Sequence, residues 1–298
     1  MLHHLHRLSL VASITGFIAN LAQVALFRFF MGQFYGTEIH LGLFLSIWLL
    51  GIACGGLLSG KISVKPLTLM LSLLAVPILT VLLLRFGIEL LPSPDGGFMP
   101  FAPVTVFMAV AILPVLLLTG MLIPCLIRLS HKSLGYFYSL EAVGGFAGGV
   151  CFSLVLGGNA DAILCLLILP ILSMAVITLT SRKKLLPGLV TLLVAPLVWH
   201  FGPMISHNID IAWWQKMHGQ LQLAKTMETP YQRLQLASYH GQKSLFSNGM
   251  LTDSWPNPES VEARVHTFVS VLEKFDSILL IGAPSAETIA EFLKYPGC

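Results

Sequence analysis

Leu134–Leu156 reads LGYFYSLEAVGGFAGGVCFSLVL, and Glu141 is the single formally charged residue in it. A helix rises about 1.5 Å per residue, so the roughly 20 residues that cross about 30 Å of hydrocarbon fit inside this run. It is apolar on every side, as a membrane span is and a surface helix of a soluble domain is not. Gly144 stands four before Gly148, and Gly145 four before Gly149. That spacing gathers glycines on one helix face, where a neighbouring backbone can come close. Packing within the chain is the first reading of this face, and a homodimer contact is the alternative.

Six more stretches flank it with the same character: Leu8–Phe30, Leu41–Ser59, Pro66–Leu91, Phe101–Leu129, Ala160–Thr180 and Leu185–Phe201. The last is the shortest and holds Pro187 and Pro196. GIACGGLLSG repeats the glycine spacing at Gly51/Gly55 and Gly56/Gly60. The fold predicted for residues 1–205 is therefore an all-α polytopic membrane domain of about seven transmembrane helices. Composition agrees. The chain is 55% hydrophobic and 10% charged, against about 25% charged in soluble domains. Its mean hydropathy is +0.82. An ordinary soluble core and a disordered chain are both excluded.

The net charge of +3 is small and the basic residues form no stripe, so the expected partner is the lipid bilayer and not nucleic acid. Cys54, Cys125, Cys151 and Cys165 lie in apolar runs without a C-x-x-C pair and read as packing residues. His3, His4 and His6 are read as a flexible cytosol-facing end in preference to a metal site, so no metal is expected. The run after them is too long for a signal peptide and lacks a small-residue cleavage site. Arg7, then Lys61 and Lys65, then Arg128 and Lys132, then Arg182, Lys183 and Lys184 fall in alternate gaps. The intervening gaps carry no Lys or Arg, which predicts a cytoplasmic N-terminus. With seven spans, the segment after Phe201 is then extracytoplasmic.

Polar groups inside the spans are few: Asn20, Gln23 and Arg28 on the first, Arg85 and Glu89 on the third, Glu141 on the fifth. A charge in hydrocarbon is costly and implies a partner or a wet cavity. Arg28, Arg85 and Glu89 have the alternative of snorkelling to an interface. Glu141, Arg28 and Gln23 are the intramembrane candidates, with Glu141 either a structural pair or a substrate or proton site.

Beyond Asp210 the charge density rises. Residues 206–228 read as an amphipathic connector, with Trp213 and Trp214 as an interfacial anchor. TPYQRLQLASYHGQKSLFSNGML alternates like strands, with HGQ and NG as turn signals. NPESVEARVHTFVSVLEKF reads as a helix opened at Pro258, DSILLIGAP as a short buried strand, and SAETIAEFLKYPG as a helix capped by Ser285. A strand, a glycine and a helix open a nucleotide-binding α/β unit. Residues 229–298 are thus expected to form an incomplete α/β segment, with N-terminal β-hairpins and one Rossmann-like βα unit. One such unit has no parallel neighbour, so this reads as a domain cut short.

At these residues the chain resembles the spermidine synthase (polyamine aminopropyltransferase) family in its membrane-fused bacterial form. GFIANLAQVALFRFF resembles that family's opening helix, with Gln23 at a glutamate position and Arg28 matching. LLTGMLIPCL around Pro124 and LGYFYSLEAVGGFAGGV with Tyr138, Gly144 and Gly148 resemble later spans. ETPYQRLQL, LFSNGMLTDSWPNPESVEARVH and ILLIGAPSAETIAEFLKYPG resemble the strand, turn-helix and glycine-loop segments of the soluble domain. The resemblance implies decarboxylated S-adenosylmethionine as co-substrate and a polyamine acceptor, with Gln232 and Gly282 touching the donor. It also implies a bacterial cytoplasmic membrane. The glycine loop is GAPSAE here, so Ala283, Pro284 and Ala286 replace glycines and Ser285 an aspartate. The tyrosine-histidine pair of the acidic helix is missing, and no catalytic base is identified. Three functions follow as expectations: a non-catalytic or repurposed domain on a membrane scaffold, an aminopropyltransferase when full length, or a small-solute transporter.

Overall fold

The computed structural model describes residues 2–34, 37–91, 100–130, 132–158, 160–180, 185–272, 277–282 and 285–295. Seven helices come first: α1 (Leu2–Gln33), α2 (Glu38–Lys61), α3 (Pro66–Phe86), α4 (Phe101–Ser130), α5 (Leu134–Cys151), α6 (Ala162–Thr180) and α7 (Leu185–His218). Six of the seven are long and apolar enough to cross a bilayer, and α6 is the shorter apolar one. The gap Pro92–Pro100 is largely outside the described residues, as are Arg182–Lys184.

The central helix is α1. Leu8, Val11, Ala12, Ile18, Leu21, Ala22, Ala25, Leu26 and Phe29 are all buried, and they recur at the three- and four-residue spacing of one broad face. It packs on α5, α6 and α4, while α6 also packs on α3 and α7. Small residues set the two closest crossings. A Cβ on Gly144 would overlap the Ser13 carbonyl oxygen, and one on Gly148 would sit 2.9 Å from that of Phe17. A Cβ on Gly55 would lie 2.6 Å from the Leu117 carbonyl oxygen, at the α2–α4 crossing. The Gly51/Gly55 and Gly144/Gly148 pairs read from sequence are thus occupied by helices of the same chain, whereas Gly60 of the Gly56/Gly60 pair meets nothing within 4 Å. The outward faces are the reverse of a soluble protein's: Leu49, Leu57, Val143, Phe146, Leu192, Leu193 and Trp199 are exposed, and such surfaces suit lipid.

Helix α7 is the longest element, at 34 residues. At about 1.5 Å per residue it reaches about 51 Å, well beyond the roughly 30 Å of a bilayer's hydrocarbon. It runs through Pro196 and Pro203 without a break. The stretch 206–228 is therefore no separate connector. Its first part continues α7, and Gln222–Glu228 is a strand, β1. Within that strand Leu223, Ala224 and Met227 are apolar and Lys225 interrupts them, so no clean period-2 alternation marked it.

Strands β1, β2 (Arg233–Tyr239), β3 (Gln242–Ser247) and β4 (Met250–Trp255) form an antiparallel sheet in sequence order. Both tight turns fall on the residues that signalled them. His240 and Gly241 join β2 to β3 with φ of 46° and 89°, and Asn248 and Gly249 join β3 to β4 with φ of 48° and 78°. Two consecutive positive φ values define the turn whose twist matches a hairpin. Gly249 also faces the membrane domain: a Cβ there would lie 3.2 Å from the Gly32 carbonyl oxygen. Gly249→Val is expected to cost about 1–3 kcal/mol from the left-handed backbone alone, read as a lower melting temperature in detergent.

Helix α8 (Pro258–Ser270) begins where the sequence placed it, with Asn257 accepting from the Ser260 amide. Helix α9 (Ala286–Phe292) begins at Ser285, whose hydroxyl accepts from the Thr288 amide at 3.2 Å. Val261, Val265, Val269 and Phe292 form a small core between them. The strand predicted between these helices is not formed among the described residues. Residues 277–281 carry no ladder, and Leu279 and Ile281 are 84% and 90% exposed. A strand needs an adjacent partner for its N–H and C=O groups, and among the described residues none pairs with it.

Candidate functional site

The polar residues sort into three places. The first is where the sheet meets the bundle. The ends of α1 and α3, the end of α7 and the hairpin formed by β1 and β2 converge there, bringing Arg28, Arg85, Asp210, Glu228 and Arg233 into one buried cluster. Asp210 is bound by Arg85 through one carboxylate oxygen and by Arg233 through the other. Arg85 is 1% exposed, and its guanidinium lies 4.2 Å from the Trp213 ring centre and 5.4 Å from that of Phe29. Such stacking suits a planar cation held out of water. Glu228 sits 3.4 Å from both Arg28 and Arg233. Burial raises its carboxyl above the usual carboxylate range, and the two guanidinium groups offset that only in part.

Arg28 does more than snorkel. Its guanidinium donates to the Gly157 carbonyl at 2.6 Å and to the Thr229 carbonyl, and it lies over the Phe152 ring at 5.5 Å. Phe152 opens a single π-helical turn, Phe152–Leu156, that ends α5. Such wide turns leave carbonyls that an inserted donor can use. Asp161, at the start of α6, accepts from the Leu164 amide and from the Ser206 hydroxyl of α7. It is near enough to act electrostatically on Arg85 and Glu228. Three guanidinium groups thus face three carboxylates, and the cluster closes on itself. Of these residues the sequence singled out Arg28 and Arg85, and it passed over Asp161 at the head of the Ala160–Thr180 run. Asp210, Glu228 and Arg233 lay beyond the boundary read for the spans, and no local pattern marked them as buried. The side chain of Glu89 is outside the described ones.

The second place is a groove of about 340 Å³ between α1, α2 and α5. It brings together Gln23 and Glu141, the other two intramembrane candidates, with Asn20, Trp48, Ile52 and Phe146. Arg28 is not part of it.

The third is the region resembling a donor site. Gly282 has φ of +116°, a conformation that glycine adopts freely and other residues do not. Beside it an open cavity of about 450 Å³ is lined by Asp253, Arg264, Phe268, Ile281, Ser285 and Thr288, among others. Gln232 is not among its lining residues. It stands at the turn before β2, where its amide oxygen accepts from the Ser247 hydroxyl at 2.7 Å. Among the described residues, no cavity lined by both Gln232 and Gly282 is found. Glu262, His266 and Glu291 of α8 and α9 lie close enough to share a cation, but Lys294 already pairs with Glu291 at 2.5 Å.

No family model, no curated protein and no solved structure matches the chain.

Proposed function

We propose that this protein is an integral membrane scaffold, carrying an extramembrane spermidine-synthase-like segment that is locked to the bundle and does not itself transfer an aminopropyl group. The observation that carries this reading is Asp210 held between Arg85 of the bundle and Arg233 of the sheet. A domain that must open around two substrates is ordinarily free to move, whereas a closed buried ion cluster fixes it. The degraded glycine loop, with Pro284 lacking an N–H, supports the non-catalytic part. In this proposal α6 serves as a seventh span, the N-terminus is cytoplasmic, and the membrane is a bacterial cytoplasmic membrane.

The side of the sheet follows from the same proposal. Arg28, Gly157 and Asp210 share the sheet's end of the bundle. Lys61, Lys65 and Arg128 lie at the opposite ends of their helices, where the positive-inside rule puts the cytoplasm. The full chain fused at its C-terminus to alkaline phosphatase should be active in intact cells, and a fluorescent protein in its place should stay dark. The reverse result removes the topology.

Gly282 favours a second reading, in which the segment binds an adenosyl sulfonium donor. Calorimetric titration of the detergent-solubilised chain with decarboxylated S-adenosylmethionine separates the two. The scaffold reading expects no measurable heat, and saturable binding would restore the enzyme.

A further inference from the structure

The charges of the buried cluster are paired with one another, whereas the carboxylate in the groove between α1, α2 and α5 has no counter-ion among the described residues. Glu141 projects from α5 about two turns inside a membrane-spanning run, and no hydrogen bond or ion pair reaches its carboxylate among the described residues. The Asn20 side-chain oxygen, on the facing wall, is buried and likewise has no donor among the described residues. Gln23, one helical turn along from Asn20, adds a second amide. Unpaired acceptors in hydrocarbon are costly, and Arg28, Arg85, Asp210 and Arg233 at the sheet's end of the bundle each have a counter-ion where the half-buried Glu141 has none among the described residues. The contrast marks the groove as a place built for something that brings donors and positive charge.

The glycines explain why the groove exists. Gly16 of α1 meets the Glu141 backbone so closely that a Cβ on it would overlap the carbonyl oxygen. Gly145 and Gly149 beside it present no side chain, leaving space in front of Asn20. The helices touch at Gly16 and the volume opens next to the contact. The remaining walls are Trp48, Leu49, Ile52 and Phe146.

We propose that this groove binds a primary ammonium group carried on an alkyl chain. Glu141 supplies the countercharge, and the Asn20 and Gln23 side-chain oxygens supply two further acceptors. Three acceptors match the three N–H donors of an ammonium. A bare alkali or divalent cation is served poorly here, since it takes about six or more oxygens. The aliphatic and aromatic walls suit the attached chain, and the Trp48 ring edges a site where a cation gains from an aromatic neighbour. The groove opens sideways, so the ammonium has two possible sources: a free amine or the headgroup of an aminophospholipid. This site is separate from the sheet and does not depend on whether the extramembrane segment is catalytic.

The test uses the full chain in nanodiscs of phosphatidylcholine, which has no N–H donors, titrated calorimetrically with n-butylammonium. Saturable binding is expected, weakened about tenfold or more by n-butyltrimethylammonium, which keeps the charge and loses the donors. That comparison needs no variant. Glu141→Gln keeps shape and removes charge, and it should weaken butylammonium binding by a similar factor while the melting temperature is retained. Absence of heat with the native chain, equal affinity for the trimethyl analogue, or unchanged affinity in Glu141→Gln would each overturn the proposal. So would equal competition by sodium chloride at the same concentration. Repeating the titration with phosphatidylethanolamine in the disc separates the sources. Competition supports the lipid headgroup, and unchanged affinity supports a free amine.

Discussion

Asp210→Asn should be among the most damaging single substitutions in this protein, lowering stability by about 3–5 kcal/mol. Asp210 is nearly fully buried and holds Arg85 with one oxygen and Arg233 with the other. The amide leaves two guanidinium groups pointed at each other, one of them 1% exposed. Arg233 keeps Glu228, but Arg85 is shut off from water and loses its only carboxylate partner among the described residues, so the penalty is that of an uncompensated buried charge. Removing an arginine instead should cost less. Arg85→Met leaves Asp210 with Arg233, and Arg233 keeps Glu228 as well. The combined Arg85→Met and Asp210→Asn variant should be more stable than Asp210→Asn alone, because Arg85→Met removes the charge that Asp210→Asn strands. Thermal unfolding in detergent across this cycle gives the coupling directly. Additive losses would mean that the two residues do not act as a pair. Trypsin offers an independent readout: in Asp210→Asn the sheet should detach from the bundle and be cut while the spans survive.

Much of this architecture was legible in advance because the membrane imposes a simple rule. Apolar runs of spanning length must be helices, since backbone groups find no water in hydrocarbon. That is why Leu134–Leu156 and Phe101–Leu129 return as helices at nearly the same bounds. The hairpins were legible for a local reason: Asn248-Gly249 and His240-Gly241 can take positive φ where most pairs cannot. The ion cluster was not legible. Arg28 and Arg85 could be seen as costly charges, yet their partners are 125 and more residues away in sequence. Asp210 in particular sits where an apolar run gives way to ordinary charge density, so it looked like the start of solvent-exposed chain. Its burial arises because α7 continues past it and the sheet folds back over that end. The missing ladder at 277–281 is the converse case: the residues have strand character, but a strand is a property of a pair.

The groove shows how local and distant information combine. Glu141 and Gln23 were both identified from sequence as costly polar groups, on helices far apart in the chain. What sequence could not supply was that the Gly144 and Gly148 face would lie on α1, with Gly145 and Gly149 turned partly toward Asn20. The same glycine pattern therefore serves two purposes. One face fixes the helix contact, and the adjacent face leaves room.

That division makes Gly144→Leu the second large effect expected. A Cβ at this position overlaps the Ser13 carbonyl oxygen, and backbone cannot turn aside as a side chain can. Overpacking against yielding neighbours costs about 1–3 kcal/mol, and the α1–α5 contact should exceed the top of that range. α1 is the helix on which α5, α6 and α4 all pack, so separating it from α5 disturbs the whole bundle. The expected result is loss of a monodisperse detergent-solubilised species and aggregation on size-exclusion chromatography. The contrast is Gly60→Ala. A Cβ there meets nothing within 4 Å, and the change should be neutral or stabilising by up to about 1 kcal/mol from helix propensity. If Gly144→Leu melts like the native chain, the close crossing of α1 and α5 is wrong, and with it the wall that shapes the groove around Glu141.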